Sequence, residues 1–338
     1  MLTSATAASV PVPVLEVGGT HVTAALVDLT AGETVGEAMR RPLPARGTAE
    51  EILDGVTAAA SLIGAPAGAP WGVAVPGPFD YESGIALFRD VGKFDALYGV
   101  DVRAELSRRM RPAPGTLRFL NDADAFGIGE FVAGAVAGHE RVVCITLGSG
   151  VGSAFLDRGE PVNHGPLVPP EGSAHLLSYD GRPLEETVSR RAIRAAYARA
   201  VPAAGRGPVP GKPDTAGAPG IPDVRGIPDV PDVHVIAELA RGGDPDARAV
   251  LEHAFQALGV ALAPWLARFG ATALVVGGSI AASWDLIEGP LSAGAGAGPD
   301  AGLVDRLLFR TAERAHDAPL LGAASWAARP QPAPVNCR

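Results

Sequence analysis

Residues 119–130 read FLNDADAFGIGE, an Asn and two Asp between a short apolar run and a small-residue helical pattern. A side-chain oxygen at Asn121 or Asp122 can cap the helix expected over residues 123–137 by accepting a backbone N–H. Alternatively, the Asp122 carboxylate can take a proton from a substrate hydroxyl while aligning its oxygen for attack. Asp124 reads as a first-turn residue favoured by the helix dipole. A second chemistry is written in three turns, GGT at 18–20, GSGVG at 148–152 and GGS at 277–279. Each ends an apolar strand, the place where open α/β sheets bind ligands, and residues without a bulky Cβ let backbone N–H groups approach a polyphosphate closely. The chain has only two lysines, Lys93 and Lys212, and GKP at 211–213 carries Pro where a P-loop requires Ser or Thr. Phosphate binding here must rest on backbone amides and hydroxyls.

Such residues need elements to hold them. VLEVGGTHVTAALVD at 14–28 and CITLGSGVGSAFLD at 144–157 both run apolar strand, Gly-rich turn, apolar strand, with Gly18 matching Gly148. A device used twice points to a duplicated fold. Asp244 as N-cap and Pro245 at the first helical position open a long core helix, expected to bend at Pro264, which leads into the buried strand ALVV and the third turn. Further helices are expected over residues 183–200 and in the terminal DAPLLGAASWAAR. This alternation predicts an α/β protein in two similar lobes. Residues 201–233, with their repeated IPDV, are too rich in Pro, Gly and Asp to bury a core and are expected to form a largely disordered surface insertion. Residues 1–10 and 329–338 are expected to be loose.

Composition removes several classes. A net charge of -9 offers no basic surface for nucleic acid. The longest apolar stretch, ATALVVGGSIAASW, is too short and Gly-rich for a bilayer, and the N-terminal residues lack the pattern of a secretory signal, so a cytoplasmic protein without a membrane partner is expected. Two cysteines, Cys144 in a strand pattern and Cys337 near the end, supply neither a disulfide framework nor a cysteine zinc site.

EVGGT, then VPGPFD, NDADA, TLGSGVGSA and VVGGSIA, in that order over residues 12–328 apart from the insertion, resemble the ROK family of sugar kinases. The resemblance implies the duplicated actin-like ATPase (ribonuclease H-like) fold, two lobes with a central cleft, ATP at the Gly-rich turns and a sugar at the hinge. It implies a small lobe of residues 12–119 plus about 310–328, and a large lobe of 120–309. Gly18, Gly19 and Thr20 would hold the terminal phosphates, Thr146, Gly148, Ser149 and Gly150 would close on them, and Gly277 and Gly278 would lie beside the adenosine. Asp122 would be the general base of an ATP:hexose phosphotransferase acting on a primary hydroxyl, glucose or an amino hexose being the default. Asn121, Glu171, His175 and Glu185 would contact sugar hydroxyls, and Lys93, clustered with Arg89 and Asp90, would read a substrate group or belong to a solvated loop. Whether the chain dimerises, as many relatives do, stays open.

Three departures accompany the likeness. Glu171 lies four residues before His175 where the family spaces them by three, so Gly172 stands in the usual Glu position. The three-cysteine cluster that many relatives use with that His to bind zinc is missing, so no structural zinc is expected. Glu16 replaces the usual Asp facing Mg2+, a change that a water-mediated contact could absorb. His21 finds no account in the sequence. A sugar-responsive repressor of the same family would need a DNA-binding segment ahead of EVGGT, where only about a dozen residues stand. A sugar-binding protein with weak or no kinase activity is the remaining alternative.

Overall fold

The computed structural model describes residues 10–201, 230–298, 300 and 302–330. The chain begins with β1 (Val12–Val17), β2 (His21–Asp28), β3 (Glu33–Pro42), α1 (Ala49–Ala60), β4 (Pro70–Val75), β5 (Phe79–Asp80) and β6 (Ile85–Ala86). Next come α2 (Val102–Arg109), β7 (Thr116–Asn121), α3 (Asp122–Ala133), β8 (Arg141–Leu147), β9 (Val151–Asp157) and β10 (Glu160–Pro161). β11 (Ser178–Tyr179), β12 (Arg182–Pro183), α4 (Glu185–Val188), α5 (Arg190–Ala200), α6 (Val233–Arg241) and α7 (Pro245–Phe269) follow. The chain closes with β13 (Ala273–Gly277), α8 (Trp284–Gly296), α9 (Leu303–Arg306), β14 (Leu308–Thr311) and α10 (Ala318–Ala328).

Two five-stranded sheets repeat one plan, β3-β2-β1-β4-β7 and β10-β9-β8-β13-β14. In the first, β1 pairs antiparallel with β2 and parallel with β4, which runs parallel with β7. In the second, β13 runs parallel with both β8 and β14. The hairpin-then-parallel order expected from the two Gly-turn segments is therefore present in both sheets.

The first compact unit comprises the described residues of Met1–Glu140, Ala154–Pro161 and Glu313–Arg338. Its core joins sheet residues such as Leu15 and Val73 to Phe79, Phe88, Phe94 and Phe119. The rings tilt against one another, Phe79 lying 5.1 Å from Phe119 and Phe88 5.2 Å from Phe94, an arrangement favoured by aromatic quadrupoles. α1 begins with a capping box in which Thr48 and Glu51 satisfy each other's backbone N–H groups. α3 packs along α10 at short range: a Cβ on Gly129 would strike the Ala318 carbonyl, and one on Gly322 the Ala125 carbonyl. The fully buried Glu130 ties the approach to α10 onto α3. Its carboxylate accepts from Ala135 N at 2.9 Å, Glu313 N at 3.2 Å and Arg314 N at 2.8 Å.

The second unit comprises the described residues of Arg141–Ser153 and Val162–Ala312. α7 forms its centre, capped by Asp244, with Pro245 in the first turn, and it ends where Gly270 takes a left-handed φ of 69°. The helix runs on through Pro264. α7 is long and apolar enough to cross a membrane by length and composition, yet half of its most apolar window is buried within the protein, where it packs on α8. β13 is buried along its whole length, and Cys144 in β8 is buried beside it.

Several boundaries differ from the sequence reading. Residues 120–140 group with the first unit, because α3 packs on α10. α3 stops at Ala133, short of residue 137, where the Gly134 backbone leaves the helical region. The helix expected over residues 183–200 is two, α4 and α5, separated by an extended Ser189 whose hydroxyl caps the second. The end of the expected insertion is ordered: Val230 and Val233 are buried, and Asp232 caps α6. Arg329 is anchored rather than loose, donating to Glu160 at 2.6 Å and to the Gly159 carbonyl at 2.7 Å. Residues 202–229 of the insertion, residues 1–9, 299 and 301, and residues 331–338 lie outside the described residues.

Candidate functional site

In the first unit, parallel pairing of β1 with β4 and β4 with β7 brings three strand ends to one edge, with Glu16 opposite Ala74 and Val75 opposite Asn121. Asn121 has the extended backbone of an N-cap, and its Oδ1 accepts from Ala123 N at 2.9 Å. Its Nδ2 donates to Tyr81 Oη at 2.9 Å, while the Tyr81 hydroxyl lies 3.3 Å from the Val75 carbonyl it donates to. Burial raises the Tyr81 pKa, so the phenol keeps its proton. Asp122 is the first helical residue, and its Oδ1 shares the Ala123 N–H at 2.9 Å. Burial raises its carboxyl pKa, against the nearby Lys93 charge and this backbone hydrogen bond. The two readings of the opening stretch thus divide: Asn121 caps, and Asp122 remains a titratable carboxylate. Asp124 is buried in the first turn of α3.

Glu16 is partly buried, and its pKa is pushed up to about 6, first by desolvation, then by Asp122, with Arg40 opposing. Beyond it the chain turns back as a hairpin closed by Gly18 N donating to His21 O at 2.8 Å. The amides of Gly19 and Thr20 have no hydrogen-bond partner among the described residues. Lys93 crosses this turn, its Cδ 3.2 Å and its Nζ 3.8 Å from where a Cβ on Gly19 would stand. Its loop is pinned on both sides: the Asp95 carboxylate accepts from Val91 N and Gly92 N at 3.0 Å each, and Phe94 N donates to the Ala45 carbonyl at 2.6 Å. Arg89 instead stacks on Tyr98, 4.1 Å from the ring centroid, and Asp90 is exposed with a φ of 58°. His21 also acquires a role: its Nδ1 lies 2.8 Å from Thr20 Oγ1 and 3.4 Å from Arg40 Nη2. A guanidinium only donates, so Nδ1 is the lone-pair nitrogen and the Thr20 hydroxyl directs its proton to it.

In the second unit, Thr146 pairs with Gly277 at the ends of β8 and β13, which sets two of the Gly-rich turns side by side. Gly278 has a φ of 84°, and a Cβ there would strike the Leu147 carbonyl, so this turn closes only with glycine. Gly148 N donates to the Gly150 carbonyl at 3.1 Å, and the amides of Ser149 and Gly150 have no hydrogen-bond partner among the described residues. Glu185 sits against this turn, its Oε2 accepting from Val151 N at 3.3 Å. Glu171 and His175 are exposed on two short 3-10 turns, which Ser153 Oγ ties down by donating to the Gly172 carbonyl at 2.8 Å and accepting from Ala174 N at 2.7 Å. Glu171 itself takes a left-handed φ of 57°.

The sequence reading missed Tyr81 as the partner of Asn121, His21 as the partner of Thr20, and Arg190, whose N–H donates to the Gly148 carbonyl at 2.8 Å. No motif marks these three: Tyr81 and Arg190 act through partners distant in sequence, and His21, although next to Thr20, has its Arg40 contact only through the pairing of β2 with β3.

The profile of the ROK family matches residues 13–329. The chain belongs to the ROK family. The glucokinase of Thermotoga maritima is 27% identical to it over 297 residues, 82% of this chain and 84% of that protein. A ROK family glucokinase from Streptomyces griseus, solved with glucose and AMPPNP, superposes with a TM-score of 0.67 at 23% identity, covering 93% of this chain and 98% of that one. The inorganic polyphosphate/ATP-glucomannokinase of Arthrobacter sp. strain KM gives 0.60 at 25% identity, covering 95% and 99%. The fold is the actin-like ATPase fold of ROK kinases, with both sheets in the repeated order described above.

Among the described residues of this ROK chain no group of three or more His, Cys, Asp or Glu is placed to hold a metal. The carboxylate of Glu16, next to a turn with unengaged amides, suits a magnesium ion that keeps most of its ligands as water and phosphate.

Proposed function

We propose that this ROK protein is a sugar kinase that transfers the γ-phosphoryl of ATP to the primary (6-) hydroxyl of a hexose, glucose or a related amino hexose. One observation carries the reading: the ends of the parallel strands β1, β4 and β7 bring Glu16 and the start of α3 at Asp122 to one edge, and Lys93, whose charge acts on Asp122, lies across the adjoining Gly19 turn. Asp122 accepts the hydroxyl proton and aligns the attacking oxygen, with Asn121 beside it to bind a neighbouring hydroxyl. Gly18, Gly19 and Thr20 take the terminal phosphates, and the Lys93 ammonium offsets negative charge there. In the second unit, Thr146 and Gly148–Gly150 take the phosphate chain, and Gly277 and Gly278 approach the adenosine. Glu185 braces the Gly150 turn and, with Glu171 and His175, contacts the sugar. Magnesium, held through Glu16 and water, would neutralise phosphate charge. The similarity to glucokinases supports this reading, and the glucomannokinase named for inorganic polyphosphate as well as ATP makes the donor a question to be measured. We place the enzyme in the cytoplasm and assign it no nucleic-acid or membrane partner.

A second reading, a sugar-binding protein with weak or no kinase activity, is motivated by Glu16 in place of Asp and by the altered spacing at Glu171. A coupled assay over glucose, mannose, N-acetylated hexosamines and free amino hexoses, with ATP or polyphosphate, separates the two. Turnover of one hexose upholds the kinase, whereas sugar binding without turnover from either donor upholds the binding protein.

A further inference from the structure

Arg190 joins two of the Gly-rich turns of the second unit. Its N–H donates to the Gly148 carbonyl at 2.8 Å, and its Nη2 donates to Ser279 Oγ at 3.1 Å. That Ser279 hydroxyl stands 3.9 Å from where a Cβ on Gly148 would be, so the guanidinium reaches the Ser279 turn where it adjoins Gly148. Its charge is incompletely answered. The Nε is buried without a hydrogen bond, and the nearest carboxylate oxygen, Asp232 Oδ1, is 3.5 Å away and accepts from Val233 N at 2.7 Å as the cap of α6. The side chain as a whole is 43% exposed. A partly exposed guanidinium, on a residue whose backbone is tied to the Gly148 turn that carries the unengaged amides of Ser149 and Gly150, can donate to phosphate oxygens, and neither lysine of the chain lies among the described residues of this unit.

We propose that Arg190 is an anion-binding residue of the phosphoryl donor, gripping an oligophosphate chain as it crosses the Gly148–Gly150 turn. The assignment rests on the kinase reading and names a cation for the phosphate turn of the second unit, among whose described residues no lysine lies. The chain gripped belongs either to a nucleoside triphosphate or to inorganic polyphosphate. Dissociation constants of adenosine, AMP, ATP and tripolyphosphate, measured by calorimetry on the full chain and on Arg190→Ala, Arg190→Gln and Arg190→Lys, test it. Arg190→Ala and Arg190→Gln weaken ATP on the order of ten- to a hundredfold, leave adenosine within about twofold, and Arg190→Lys recovers part of the loss. A matching loss for tripolyphosphate supports the proposal and makes inorganic polyphosphate a donor candidate. Equal loss of adenosine and ATP makes Arg190 a strut between the turns and overturns the proposal. So does unchanged ATP binding, with the kinase reading left standing. A wild-type chain that binds none of the four overturns both.

Discussion

Asn121 and Tyr81 are joined by a hydrogen bond of 2.9 Å from Nδ2 to the phenolic oxygen, while the other end of the same amide caps α3. The amide is therefore fixed at both ends, and on the proposed reading Tyr81 is a positioning residue for the sugar contact of Asn121. Tyr81→Phe releases one end. It should raise the sugar KM roughly three- to tenfold, the worth of one neutral hydrogen bond, with kcat changed less than about twofold. Steady-state kinetics on the best hexose decide this, and a collapse of kcat at constant KM would contradict it.

The Lys93 ammonium lies at the Gly19 turn and favours the ionised form of Asp122. Lys93→Met removes both effects. It should lower kcat by on the order of ten- to a hundredfold and move the acid limb of the pH–rate profile upward, because Asp122 then loses the charge that opposes its desolvation. A solvated-loop lysine would leave both unchanged.

Glu16 makes stability depend on pH in a defined direction. Its folded pKa of about 6 lies above the ordinary 4.5, so between these values the native state holds more protons than the unfolded chain. Stability from this group is full below pH 4.5 and falls as pH rises to 6, by about 2 kcal/mol. Urea midpoints of the wild type and Glu16→Gln across this window should diverge with pH in that sense. Magnesium affinity should run the other way, strengthening as Glu16 ionises near pH 6. Parallel urea curves would contradict the assignment.

Glu130 predicts a purely structural effect. Its buried carboxylate serves three backbone N–H groups of the first unit. Glu130→Ala leaves them without an acceptor and should cost about 3–5 kcal/mol by denaturant unfolding, with a smaller loss for Glu130→Gln. A loss below about 1 kcal/mol would show that water replaces the carboxylate.

The duplicated sheet plan was readable because the determinant is local: an apolar strand that must end in small residues and return. Asn121 and Asp122 were readable for the same reason, as a strand end running into a helix. Tyr81 was not, because its bond to Asn121 spans 40 residues and depends on β4 and β7 being neighbours. Lys93 was singled out by its rarity, yet its seat on Gly19 follows from a loop pinned by Asp95 and Phe94, a tertiary arrangement. His21 looked anomalous only while Arg40, brought to it by the pairing of β2 with β3, could not be set beside it. The break at Ser189 was hidden by helical periodicity on both sides, although Ser is a strong cap.

The central claim is that Asp122 takes the proton of the attacking hydroxyl. Asp122→Asn preserves shape and removes the basicity. With the preferred hexose and donor, kcat should fall on the order of 10² to 10⁴-fold, while sugar affinity by calorimetry stays within about threefold. A variant that phosphorylates the hexose at the wild-type rate would contradict the account.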